Sequence, residues 1–304
     1  MLYLKNLLAE YIARPWSTGG LSWRQLASEL WARSIQDDLP GRAAQLSFYF
    51  LVAVFPLLIF LSTLIGYFLN SQADAYFTLV NHLGRIMPRS AFALFHDTLN
   101  QITSGASNGK LSFGLLVSLW TSSSGVAALI EGLNIAFAVP NPRSWWRRRL
   151  LAIALTIAIG VLIAAALVFL FISHTAGAFV AANVPVLNTL STLSSALHWV
   201  AGLLFLIASL MLIYRFGPNL KQKPWEGVLP GCCLALLGWA LASLAFRFYL
   251  LYFGSLNRTY GSLAGVIALL FWLYLSAAAI LLGGELNSII WQAVANKRVK
   301  SIQE

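Results

Sequence analysis

Three ionisable side chains stand in stretches of this chain that are otherwise apolar: Glu131, Arg247 and Glu285, the last two residues before Asn287. A charge inside a hydrocarbon layer costs about 2.5–3.5 kcal/mol on insertion scales, so such a group normally faces the protein interior and has a partner. The chemistry open to these groups is the binding or relay of a proton, an ion or a charged headgroup. With Arg215 and Asn287 they form a candidate polar pathway. The alternative is structural: an ion pair between helices, or an arginine whose long stem carries its charge to the headgroups.

Hydroxyl groups and helix-disturbing residues make a second set. Trp120-Thr121-Ser122-Ser123-Ser124-Gly125 puts four hydroxyls in one apolar stretch, where they either line a polar cavity or allow close helix approach. Pro56, after Phe55, removes a backbone donor and bends any helix that contains it. Gly227 and Gly231, and likewise Gly261 and Gly265, have the four-residue spacing of tight helix crossings. Conventional catalytic patterns are missing. The four histidines (His82, His96, His174 and His198) lack ligand-like spacing, and the adjacent Cys232 and Cys233 are too few for a metal site. No phosphate-cradling loop or nucleophile elbow is present. The sequence therefore implies no cofactor and no bound metal, and a ribonuclease or other enzyme is the least favoured of three functional readings.

Composition names the elements that must position these groups. Of the 304 residues 59% are hydrophobic and 10% charged, and the mean hydropathy is +0.75. Soluble domains have about 25% charged residues, so the excess apolar surface must face lipid. A span needs about 20 apolar residues. Six stretches qualify: Ala43–Leu69, Leu111–Val139, Leu150–Ser173, Leu197–Tyr214, Val228–Phe253 and Ser262–Gly283. The expected fold is all-α, a bundle of about six transmembrane helices. Residues 1–42 form an N-terminal segment, 43–290 the membrane domain with an external helical loop at 70–110, and 291–304 a basic tail.

Basic residues set the orientation. Of the 20 Lys and Arg, fifteen fall on one side of such a bundle and four on the other, with Arg247 inside a span. By the positive-inside rule both termini are cytoplasmic. The same distribution explains a net charge of +10 without nucleic acid: the partners expected are anionic lipid headgroups. Whether copies of the chain associate is left open. Glu131 and Glu285 then occupy the cytoplasmic halves of two spans that run in the same direction, and Arg215 is the counter-ion on offer. Arg247 lies nearer the outer face. Trp23, Leu26, Leu30 and Trp31 share a helical face, which predicts a helix at Trp23–Ile35 lying in the cytoplasmic interface or packed beneath the bundle. The segment Ala73–Ile102 predicts two short external helices.

The stretch Ala43-Ala44-Gln45-Leu46-Ser47-Phe48-Tyr49-Phe50, running on to Phe55-Pro56, resembles the opening span of the YihY/BrkB family. So do Leu119-Trp120, Ser123-Ser124-Gly125 and Leu133-Asn134, and Tyr214-Arg215-Phe216-Gly217-Pro218. Thr259-Tyr260-Gly261-Ser262-Leu263, Trp272-Leu273-Tyr274-Leu275 and Gly283-Gly284-Glu285-Leu286-Asn287 are the most specific. The resemblance covers residues 30 to 290 but does not place Arg247. It implies a bacterial inner-membrane protein of six helices. Some members carry a ribonuclease label, which these residues do not support, and links to lipid or lipopolysaccharide transport follow from resemblance alone. A transporter or lipid-translocating protein is the leading expectation, and a non-transporting membrane scaffold the second.

Overall fold

The computed structural model describes residues 20–53, 108–140, 143–183, 188–220, 228–252 and 263–303. Pro56, Tyr260, Gly261 and the expected external helices of 73–102 lie outside them. Every described regular element is helical. The six complete helices are α1 (Trp23–Gln36), α2 (Asn108–Ala136), α3 (Trp145–Asn183), α4 (Asn188–Phe216), α5 (Leu229–Tyr252) and α6 (Leu263–Gln303). Residues 39–53 are helical as well. Among the described residues, α3, α5 and α6 are long and apolar enough to cross a membrane.

The helices overrun the lengths that hydropathy marks out. Helix α3 has 39 residues and α6 has 41, which at 1.5 Å per residue makes each about 60 Å long, twice the hydrocarbon thickness. Thus α3 and α4 leave only residues 184–187 between them, within what hydropathy reads as a connection around His174–Ser195. The basic segment after residue 290 continues α6 without a break. Hydropathy detects only where a helix is apolar, whereas backbone hydrogen bonding carries it on through polar residues.

Local chemistry explains the helix ends. Ser22 caps α1 in a reciprocal box: its Oγ accepts from the Gln25 N–H at 3.3 Å, and the Gln25 Oε1 accepts from the Ser22 N–H at 2.9 Å. After Asp37 the chain turns through Asp38, whose φ of 48° is one that Asp tolerates. Asp38 Oδ1 then accepts from the Gly41 N–H at 3.3 Å, starting the helical stretch 39–53. At the end of α2 the Val139 N–H reaches the Asn134 carbonyl at 3.0 Å and the Ala138 N–H reaches that of Ile135 at 2.7 Å. This pattern ordinarily places glycine where Ala138 stands, at φ 49°. Ala138→Gly should therefore stabilise the protein by about 1 kcal/mol, read as a rise in the thermal midpoint in detergent.

The chain divides into two compact units. One comprises Met1–Leu51, Gly125–Leu151 and Leu210–Glu304; the other comprises Val52–Ser124 and Ala152–Ser209. In the first, α5 lies against α6. Gly238 faces Ala279, the Trp239 and Trp272 rings meet edge-on at 6.2 Å, and Trp272 Nε1 donates to Ser243 Oγ at 3.1 Å. The opposite face of α5 presents Leu237, Leu241, Leu244 and Phe248, all exposed. An exposed apolar stripe of that length suits lipid contact. In the second unit, the hydroxyls of Thr156 and Ser209 bond back to the carbonyls of Ala152 and Phe205, which lets polar residues sit in apolar helices.

Candidate functional site

The first unit gathers polar side chains around the middle of α6. At the crossing of α5 and α6, a methyl on Gly231 would collide with the Gly283 carbonyl, and one on Gly283 would collide with the Gly231 carbonyl and the Tyr214 hydroxyl. Only glycine allows this approach. Tyr214, 2% exposed, donates its hydroxyl to the Ile280 carbonyl at 2.6 Å. Asn287, 3% exposed, accepts the Gly231 N–H at 2.8 Å and donates to the Val228 carbonyl at 3.1 Å. It thereby serves the Gly231 N–H, which the start of α5 leaves without a helical partner, and shares the Val228 carbonyl with the Cys232 N–H.

One face of α6 carries Glu285, Ser288 and Gln292, spaced so that they line up. Against it lies α1, whose Leu26 and Leu30 pack on Ile289, Ile290 and Leu286. That apolar contact holds Arg33 over the polar face. Its guanidinium donates to Glu29 and to Gln292 Oε1, both at 2.7 Å, and to Ser288 Oγ at 3.4 Å. Ser288 in turn donates its hydroxyl to the Ala136 carbonyl at the end of α2, at 2.6 Å. The turn after α1 brings the charges of Asp37, Arg33 and Arg42 near Glu285. Arg42 is tied to the Asp37 carbonyl through Nε at 2.6 Å. Glu285 is 3% exposed, and its Oε2 is buried with no hydrogen-bond partner.

A third cluster joins the loop after α4 to the loop after α2. Asn134 Oδ1 accepts from the Asn219 N–H at 2.8 Å, and Arg143 donates to the carbonyls of Gly217 at 2.9 Å and Pro218 at 3.3 Å. Burial pushes the Arg143 guanidinium below its ordinary pKa, and the two carbonyls compensate part of its lost hydration.

The candidate pathway residues are thus not all together. Glu285 and Asn287 are buried on α6, whereas Glu131 and Arg247 are exposed. Arg215 lies 5.6 Å from the centroid of the Phe216 ring. The charges of Arg33 and Arg42 lie near Glu285. Span-by-span reading misses them because they precede the first span. The one sequence signal is Asp37-Asp38, an adjacent acidic pair between Arg33 and Arg42. In the hydroxyl-rich run, Ser123 is fully buried and donates to the Trp120 carbonyl at 2.7 Å. Thr121 donates to Val117 at 2.9 Å, and Ser124 to Trp120 at 3.4 Å. These three hydroxyls bond to their own helix, while Gly125 is buried.

Comparison with known proteins gives a consistent result. A family model described as virulence factor BrkB matches residues 30–303. A ribonuclease-like protein, YfkH, from Bacillus subtilis (strain 168) is 33% identical over 262 residues, covering 86% of this chain and 94% of that one. A UPF0761 membrane protein from Tolumonas auensis is 24% identical over 283 residues, 91% of this chain and 89% of the relative. Another, from Xanthomonas campestris pv. campestris, is 28% identical over 276 residues but is matched over only 59% of its length. No solved structure matches the chain.

Proposed function

The chain belongs to the BrkB family of membrane proteins, and from that premise we propose that it is a six-span bacterial inner-membrane protein that moves an anionic lipid or another solute. Both termini face the cytoplasm in this reading, as the distribution of Lys and Arg supports. Trp145, Trp146 and Arg147–Arg149 at the start of α3 meet anionic headgroups there. The observation that carries transport is Glu285: a carboxyl 3% exposed on an apolar helix, with one oxygen unsatisfied. A purely structural ion pair would leave no such oxygen, because an orphaned buried acceptor costs about 1–3 kcal/mol.

Purified protein in liposomes should move labelled anionic lipid or another labelled solute, and Glu285→Gln should slow that movement at least tenfold while the protein stays folded. Glu131→Gln tests whether the exposed carboxylate contributes. Full activity in both variants would remove the assignment. Under this reading the protein is not an enzyme, so metal chelators leave the movement unchanged.

A second reading, a scaffold that moves nothing, draws on α1. Trp23, Trp31 and Ile35 of α1 stand exposed, whereas Leu26 is buried. Tryptophans beside Arg24 suit a membrane interface, so α1 serves as an interfacial helix in either reading. Deleting residues 16–38 should abolish the scaffold's role, whereas Glu285→Gln should not touch it.

A further inference from the structure

We propose that the end of α2, the start of α3 and residues 217–219 after α4, all within the first unit, form a binding site for one phosphate group carried by an anionic membrane lipid. Between Glu131 and Glu226 the chain carries basic residues and not one carboxylate. Arg143 gives part of its N–H fork to the carbonyls of Gly217 and Pro218, which leave its charge uncompensated. Arg147 is exposed. Arg148 stands in the first turn of α3, its backbone N–H on the Ser144 carbonyl at 3.1 Å, and its Nε is buried without a hydrogen-bond partner. Asn134, 3% exposed, adds a second orphan at the same junction. Its Oδ1 is taken by the Asn219 N–H at 2.8 Å, which fixes the orientation of the amide and leaves Nδ2 a donor with no acceptor. A buried donor without an acceptor is costly, and what this junction lacks is an acceptor with negative charge.

The donors are held in place by the chain itself. Asn219 and Arg143 tie residues 217–219 to the segment after α2, and Pro218 is fully buried. A methyl on Gly217 would overlap the Ile213 carbonyl, so this turn is open only to glycine. Donors ordered in advance lose little freedom when a ligand arrives.

Depth identifies the anion. The part of α3 that is long and apolar enough to cross a membrane begins at Trp145. Trp145 and Trp146 stand exposed there, their rings edge-on at 4.5 Å. Tryptophans at the start of a span lie at headgroup level, and a guanidinium fork matches two phosphate oxygens. Trp146 and Leu150, one helical turn apart and both exposed, offer an apolar track to an acyl chain; a free phosphate would have no use for it.

This inference rests on the reading that the start of α3 lies among headgroups, and it is independent of transport. Native mass spectrometry of the full-length protein in detergent should show one phosphatidylglycerol retained per chain, with much weaker retention of phosphatidylcholine. Arg148→Gln should weaken retention at least about tenfold, the worth of one charge-assisted hydrogen bond. Arg148→Lys should restore only part of it, because an ammonium lacks the planar fork. Asn134→Asp keeps the acceptor for Asn219 but turns the orphaned donor into a like charge, so retention should be lost. Arg24→Gln removes the same charge from an exposed position on α1 and should change nothing. Equal loss in the Arg24 and Arg148 variants would overturn the site in favour of general attraction, as would full recovery with lysine. So would equal retention of both lipids by the unaltered protein, a result readable even if a variant fails to fold. Displacement of the lipid by millimolar inorganic phosphate would overturn the assignment to lipid. Retained lipid with no movement in liposomes would remove transport and leave the site standing; movement without retention would remove the site alone.

Discussion

Gly231→Ala should leave the protein unable to hold its α5–α6 pair, with no monodisperse species after detergent extraction. The added methyl would overlap the Gly283 carbonyl and the Asn287 side-chain amide. A flexible side chain can rotate away from a new neighbour, but a helix carbonyl is fixed by its own hydrogen bond. The two helices would have to separate, and the contacts along the pair (Gly238 on Ala279, Trp239 on Trp272) would separate with them. Overpacking in a tight core costs about 1–3 kcal/mol where side chains can adjust; against backbone the loss should reach about 3 kcal/mol or more. Gly283→Ala should do the same, since its methyl would meet the Gly231 carbonyl and the Tyr214 hydroxyl. Because both disrupt one crossing, the double variant should be little worse than either single one. Gly265→Ala is the control: a methyl there meets nothing within 4 Å, so extraction and melting should be unchanged. Equal behaviour of the Gly231 and Gly265 variants would refute the crossing as described.

Asn287→Ala should lower stability by about 1–3 kcal/mol, the cost of leaving one buried backbone N–H without a partner. The group is the Gly231 N–H, which Asn287 accepts at 2.8 Å; the Val228 carbonyl, which Asn287 reaches at 3.1 Å, keeps the Cys232 N–H at 3.2 Å. The Gly231 N–H lies in the first turn of α5, where the helix supplies no acceptor of its own. Thermal unfolding followed by circular dichroism in detergent reads the effect. Asn287→Asp keeps the acceptor for Gly231 and loses the donor to Val228, so its midpoint should fall between those of the native protein and Asn287→Ala. A midpoint for Asn287→Ala within a degree of native would show that water reaches this turn and replaces the side chain.

These two outcomes also separate packing from activity. Asn287 stands with Glu285 in the polar set that the sequence nominates, yet both of its amide atoms are engaged by backbone. Glu285 keeps an oxygen unsatisfied. Loss of fold on changing one, and loss of lipid or solute movement on changing the other, would assign them different tasks.

Apolar composition and the spacing of Lys and Arg are local properties, and they were enough to mark an all-helical membrane chain from the residues alone. Glu285 and Asn287 were legible as residues of interest for the same reason: a charge and an amide in an apolar stretch are expensive wherever the helix sits. Glu131 and Arg247 carry the same signal but stand exposed, because hydropathy counts what a helix contains and not which way each residue points. Likewise, the spacing of Gly261 and Gly265 resembles that of Gly227 and Gly231, yet Gly231 meets Gly283 whereas Gly265 meets nothing. Spacing identifies a smooth helix face; only the partner helix decides whether that face is used. The neighbours of Glu285 depend on the fold for a similar reason. Asp37, Arg33 and Arg42 lie some 250 residues earlier in the chain, and they arrive because Leu26 and Leu30 bury themselves on α6 and a turn through Asp38 follows. The sequence by itself determined a helical membrane chain with a costly charge in its last apolar helix; tertiary packing decided what faces that charge, since partners this distant are set by which surfaces bury each other.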